Sequence, residues 1–149
     1  MAETIGSLVD KITIVKLKQW HCDTSLKEAS LKKQEKDLIL EMDSLVLSAV
    51  SHNVKIENLK FDSNKVYKKE GNNVRLFEGG FADSVSNLSN INCELWHEQE
   101  KIYDFSSIPV ENKDEVVNSI AILNLERTKL IEKIDNEFIE FNISNPNKN

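Results

Sequence analysis

The stretch VVNSIAILNLERTKLIEKIDNEFIEF, from Val116 to Phe141, decides how this chain is read. Its apolar residues Val116, Ile120, Leu123, Leu130, Ile134 and Phe141 recur at three- and four-residue steps, the spacing of a helix with one buried stripe. Arg127 occupies the slot between Leu123 and Leu130, where that stripe should be greasiest. The segment before it repeats the anomaly, since Phe81, Val85, Leu88, Leu95 and Ile102 form a stripe interrupted at Asn92 and Gln99. Two stripes broken by polar groups predict a polar cluster inside a helical bundle.

Working outward, the whole chain suits an all-α fold. It has 149 residues with only four glycines and two prolines, too few turn formers for a sandwich that turns every ten residues or so. A chain of this length forms one domain and buries about two-thirds of its unfolded surface. The expected architecture is an antiparallel bundle of four main helices over residues 1–144, with a disordered tail at 145–149.

Caps and breakers set the predicted boundaries. The first helix runs from near Thr4 to about Cys22, and Ser25-x-x-Glu28 has the capping-box spacing for a second start. The second helix carries Leu31, Leu38, Met42, Leu45 and Ala49, widened by Ile39 and Val46, and ends at Ser51-His52-Asn53. A short irregular or hairpin insert follows, with Lys65-Val66-Tyr67-Lys68 and Val74-Arg75-Leu76-Phe77 flanking Gly71-Asn72-Asn73. After Gly79-Gly80 the third helix covers about 81–104, and Asn112 with Glu115 predicts a fourth from about 113 to 141.

Charge and motifs narrow the function classes. A net charge of −6 opposes nucleic-acid binding, which needs a basic face. The N-terminus has no secretory pattern, and no stretch approaches the ~18 apolar residues of a membrane span, so a cytoplasmic protein without membrane insertion is expected. Cys22 and Cys93 lie in no paired motif and read as small buried hydrophobes. The three histidines, His21, His52 and His97, show no metal-ligand spacing, and there is no nucleophile elbow, phosphate loop or dinucleotide fingerprint. No metal, cofactor or catalytic residue is therefore expected.

The polar residues still require partners. A buried Arg127 stays charged and demands an acid, for which Asp10, Glu98 and Glu100 are the candidates by helical geometry, with Asn124 one turn away. Asp10, Thr13 and Lys16 form a polar strip on the first helix. Glu94 and Glu98 share a helical face, the spacing with which some all-α phosphohydrolases hold magnesium, although a solvated face explains them as well. Trp20 and Trp96 read as core or interface anchors, and Lys65, Tyr67, Lys68, Lys69 and Arg75 make the densest basic patch.

Three blocks, Gly6 to Lys18, Asn92 to Lys101 and Leu123 to Asp135, together about a quarter of the chain, resemble the signature segments of a family of small bacterial helical proteins catalogued as a domain of unknown function. Members of that family are often encoded beside glycosyltransferases of lipopolysaccharide and other surface glycans, so the resemblance implies a cytoplasmic role around glycan assembly. It marks Asp10, Lys11, Lys16, Asn92, Trp96, Glu98, Glu100, Asn124 and Arg127, and Gln99 joins them from the stripe pattern. The chain departs from the family pattern at Gln99, where relatives have an acid, and at Tyr103, where they have an arginine.

The leading expectation is an accessory or binding protein of surface-glycan synthesis, partnered by a glycosyltransferase or another enzyme of that pathway. The alternative is a magnesium-dependent enzyme acting on a phosphorylated or nucleotide-linked sugar, with Arg127 and Lys16 on phosphate and Glu98 or Glu100 on the metal. A structural homodimer burying Trp20 or Trp96 is the third.

Overall fold

The computed structural model describes residues 3–61 and 73–144 and forms four α-helices: α1 Ile5–Trp20, α2 Ser25–Val50, α3 Phe81–Tyr103 and α4 Val110–Ser144. Single 3-10 turns at Ile56–Asn58 and Phe105–Ser107 shape the connections, and no strand occurs among the described residues. Val74–Phe77 runs without regular structure, while Lys65–Lys68 and the tail at 145–149 lie outside the described residues.

Side-chain acceptors satisfy one of the first free N–H groups of α1 and of α2. At α1 the Thr4 hydroxyl accepts from Ser7 N (3.2 Å) and the Ser7 hydroxyl accepts from Thr4 N (2.9 Å). The cap of α2 is Thr24, whose hydroxyl accepts from Lys27 N, so the expected box beginning at Ser25 shifts back by one residue. Glu28 instead pairs with Lys32. At α3 the Gly80 N–H donates to Asp83 (3.0 Å), and Gly79 has φ +97°, where any side chain would strike Asp83. Helix α4 begins at Val110, earlier than Asn112 suggested, because Asn112 N already donates to the Pro109 carbonyl (2.9 Å).

Helix α2 ends with paired bonds from His52 N to Ala49 O and from Asn53 N to Ser48 O, His52 taking the left-handed conformation usually left to glycine.

Helix α1 packs against the other three. Gly6 against Asp135 and Asp10 against Arg127 make α1 and α4 antiparallel, whereas Asn92 against Thr13 and Trp96 against His21 make α1 and α3 parallel. Neighbours alternate as in an up-and-down bundle. The core joins Leu8 and Val9 of α1, Leu45 and Ala49 of α2, Leu88, Ile91 and Leu95 of α3, and Leu123, Leu130, Ile134 and Phe138 of α4, with Leu59 folded in from the connection.

Four side chains depart from their expected places. Phe141 is half exposed while Phe138 is buried, because α1 begins at Ile5, beside Asp135, and does not reach along the last turns of α4. Cys93 is exposed, one step round α3 from buried Asn92, and Cys22 is only partly covered. Trp20 at the end of α1 projects into solvent, so it is no core anchor.

Candidate functional site

The interrupted stripes meet where α1, α3 and α4 face one another. Arg127 of α4 donates from Nε to Asp10 Oδ1 (2.8 Å) and from Nη2 to Asp10 Oδ2, a two-pronged pairing that suits the planar guanidinium. Asn92 of α3 donates from Nδ2 to Asp10 Oδ1 (3.0 Å) and to the Thr13 hydroxyl (2.7 Å), which donates to the Asp10 carbonyl (2.8 Å). Asp10 and Asn92 are about 5% exposed or less, so the acid that balances Arg127 is Asp10, not Glu98 or Glu100. The hydrogen bonds to Asp10 outweigh burial and raise the Arg127 pKa above its usual value.

The other sequence candidates lie elsewhere. Lys16 is exposed and pairs with Glu35 of α2, which also accepts from Gln19 (2.7 Å). Asn124 turns its amide onto the Ile120 carbonyl of its own helix (3.0 Å). Trp96 donates from its indole to Glu100 (2.9 Å) and stacks on His21 with ring centroids 4.6 Å apart. Glu98 pairs with Lys101 (2.7 Å). Gln99 is exposed, because α1 ends level with Trp96 and no α1 residue remains to face the next turn of α3. Gln99 and Tyr103 instead line one shallow apolar hollow with Ile102, Val117 and Ile120.

A second ionic cluster lies beside the first. Glu126 of α4 is 1% exposed and is covered by Arg75, which donates to it from the backbone N (3.0 Å), Nε (3.1 Å) and Nη2 (2.7 Å). The same guanidinium reaches Glu94 of α3 at 3.0 Å and 3.3 Å, and it lies 5.7 Å from the Phe77 ring. Burial pushes the Glu126 pKa up, but the hydrogen bonds from Arg75 prevail and hold it below the usual carboxylate value. The basic patch expected around Arg75 is thus neutralised at Arg75, and Lys65, Tyr67, Lys68 and Lys69 lie outside the described residues.

From this cluster a groove runs between α3 and α4. Its inner cavity, about 420 Å³, is lined by Arg75, Glu94, His97, Glu98, Ser119 and Glu126, among others. An outer cavity of about 760 Å³ shares His97, Glu98 and Ser119 and continues past Glu100, Lys101 and Asp104 to Pro109 and Glu115. Carboxylates outnumber cations along it, so its field favours a cationic or hydrogen-bond-donating surface. Among the described residues no three His, Cys, Asp or Glu side chains are grouped to hold one metal ion.

Two more polar contacts anchor α4. Asp135 accepts from the Gly6 N–H at the start of α1 (2.7 Å) and from the Thr4 side chain. Burial nevertheless dominates and raises its pKa, with the nearby Glu132 charge adding to the rise. Lys133 joins the Gly79 carbonyl (2.9 Å), Ser84 (3.0 Å) and Glu137.

Sequence reasoning passed over Glu126 and Asp135. A signal existed for Glu126, three residues after Leu123 and four before Leu130 and hence within the buried arc. For Asp135 the only pointer was Ile131, one turn earlier. Among the described residues no helix is long and apolar enough to cross a membrane. Compared with protein-family models, curated proteins and solved structures, the chain matches none.

Proposed function

We propose that this chain is a non-catalytic accessory protein of surface-glycan synthesis that acts in the cytoplasm by binding a glycosyltransferase or another enzyme of that pathway. The observation that carries the reading is the closed network of Asp10, Asn92 and Arg127. These three residues come one each from the blocks that resemble the glycan-associated family, and across three helices Arg127 balances the charge of Asp10 while Asn92 donates to it. Groups committed in this way fix a scaffold, whereas an acid–base site needs a side chain within reach of a substrate proton. The acid-rich groove between α3 and α4 offers the partner a surface.

The reading is tested by affinity capture of the tagged chain from its native cells, together with deletion of its gene. A glycosyltransferase or glycan enzyme recovered above control, with altered surface glycans on deletion, supports it. Capture without such a partner and unchanged glycans end it.

The second reading, a magnesium-dependent enzyme on a phosphorylated or nucleotide-linked sugar, draws on the carboxylates Glu94, Glu98 and Glu100 along α3. It finds Arg127 and Lys16, its phosphate holders, already paired with Asp10 and Glu35. Melting with magnesium and a panel of sugar nucleotides separates the two, since a ligand at a hundred times its Kd adds ~2.7 kcal/mol to stability.

A further inference from the structure

Helix α2 carries apolar residues on its core-facing side and, interspersed with charges, on the opposite side. Leu31, Leu38 and Leu45 share the face turned toward α1, with Leu38 and Leu45 in or against the core. On the far side, Leu26, Ala29, Lys33, Lys36, Leu40, Asp43, Leu47 and Val50 follow one another at alternating steps of three and four, the a and d positions of a heptad seam kept over the full helix. All eight are exposed, and Leu26, Leu40, Leu47 and Val50 remain 58–82% accessible. One exposed leucine means little, but a heptad seam over a 26-residue helix, about 39 Å long, has the form of a helix-pairing surface.

The charges on that seam select its partner. Lys33 and Lys36 lie in the N-terminal half and Asp43 in the C-terminal half. A twofold interface must be complementary to itself. Parallel pairing would set Lys33 against Lys33 and Asp43 against Asp43. In an antiparallel pair a positions meet d positions, and the register that aligns the two helix ends brings Leu26 against Val50, Ala29 against Leu47, Lys33 against Asp43 and Lys36 against Leu40. Each of these contacts forms twice. Ile39, 43% exposed, borders the seam at its centre and meets its own copy across the axis. Among the described residues of one chain, Lys33 makes a loose, exposed contact with Asp37 at 3.4 Å, which leaves it able to turn to a new acid.

We infer that the outer face of α2 is an interface for a second copy of this chain, paired antiparallel about a twofold axis near the middle of the helix, with Lys33 of each copy on Asp43 of the other. The pairing does not depend on the accessory function proposed above and leaves the α3–α4 groove open.

Sedimentation velocity of the purified full chain over a concentration series tests it. The expected species is a dimer of the 17.1 kDa chain. Lys33→Asp and Asp43→Lys should each weaken it by about tenfold or more in Kd, because each sets like charges together at two symmetric points. The two changes in one chain should restore dimerisation, since opposite charges again meet across the axis. Leu40→Asp with Leu47→Asp should give a monomer of unchanged helical circular dichroism, both side chains being exposed in the single chain. A monomer at every concentration, a dimer indifferent to the single charge changes, or failure of the double exchange to restore pairing would overturn the inference.

Discussion

Replacing Arg127 by methionine removes the guanidinium while keeping a flexible apolar stem in the same space. Asp10 then loses two of its three side-chain hydrogen bonds and retains only the Asn92 amide on Oδ1. Removing one partner of a fully buried ion pair costs roughly 3–5 kcal/mol, most of it from the charge left behind. The Arg127 side chain is 29% exposed, so water can enter part of the vacated volume, which places the expected loss at the lower end, about 3 kcal/mol. In a domain of this size that lowers Tm by about 6–12 °C. Urea unfolding should show a lower midpoint at unchanged slope. Asp10→Asn and the double variant complete a cycle, and the double should lose clearly less than the two singles added, because removing both charges leaves neither stranded. A loss below about 1 kcal/mol, as for an exposed ion pair, or strict additivity would refute the claim that this pair is a buried interhelical tie.

Gly6→Ala should reverse the usual sign of a helical glycine substitution: alanine ordinarily gains ~0.8–1.0 kcal/mol, but here its methyl would overlap the Ile131 carbonyl oxygen and crowd Asp135, so a loss of ~1–3 kcal/mol in urea unfolding is expected. A gain would mean that α1 and α4 are not in such close contact. Burial raises the Asp135 pKa above its ordinary 3.8, so the folded chain keeps a proton there that the unfolded chain has already lost, and this residue's contribution to stability falls as pH rises through the window above 3.8. Asp135→Asn should therefore be more stable than the parent near about pH 7 and lose that advantage by about pH 3.5, and unfolding curves at both values check it. A variant that is less stable near neutrality would show that the bonds from Gly6 and Thr4 outweigh burial.

Helix content, helix number and the inward position of Arg127 were legible because each rests on spacing within one segment. Leu123, Arg127 and Leu130 share a face whatever the rest of the chain does. What spacing cannot supply is the alignment of one helix along another. Asp10, Glu98 and Glu100 therefore stayed equivalent as partners of Arg127, although only Asp10 lies level with it. Gln99 failed for the same reason, since its place on the stripe is correct but α1 has ended before reaching it. Glu126 and Asp135 escaped notice because each acid stands in a run of charged and polar residues. Their partners are remote in sequence, Arg75 by 51 residues and Gly6 by 129.

Alignment is what these polar ties provide. Leucine, isoleucine and valine stripes bury similar area when one helix slides along another by a turn, about 5.4 Å, so the apolar core alone sets the slide of α1 on α4 weakly. Asp10 on Arg127 and Gly6 N–H on Asp135 fix it at two points, one helical turn apart on α1 and two on α4. A slide by one turn would break both at once and strand Asp10 and Asp135 as buried, poorly partnered acids. Arg75 does the same for the stretch that leads into α3, since moving it would uncover Glu126. The polar residues that interrupt the stripes thus do for this bundle what hydrophobic spacing cannot: they select one register among several of comparable apolar burial.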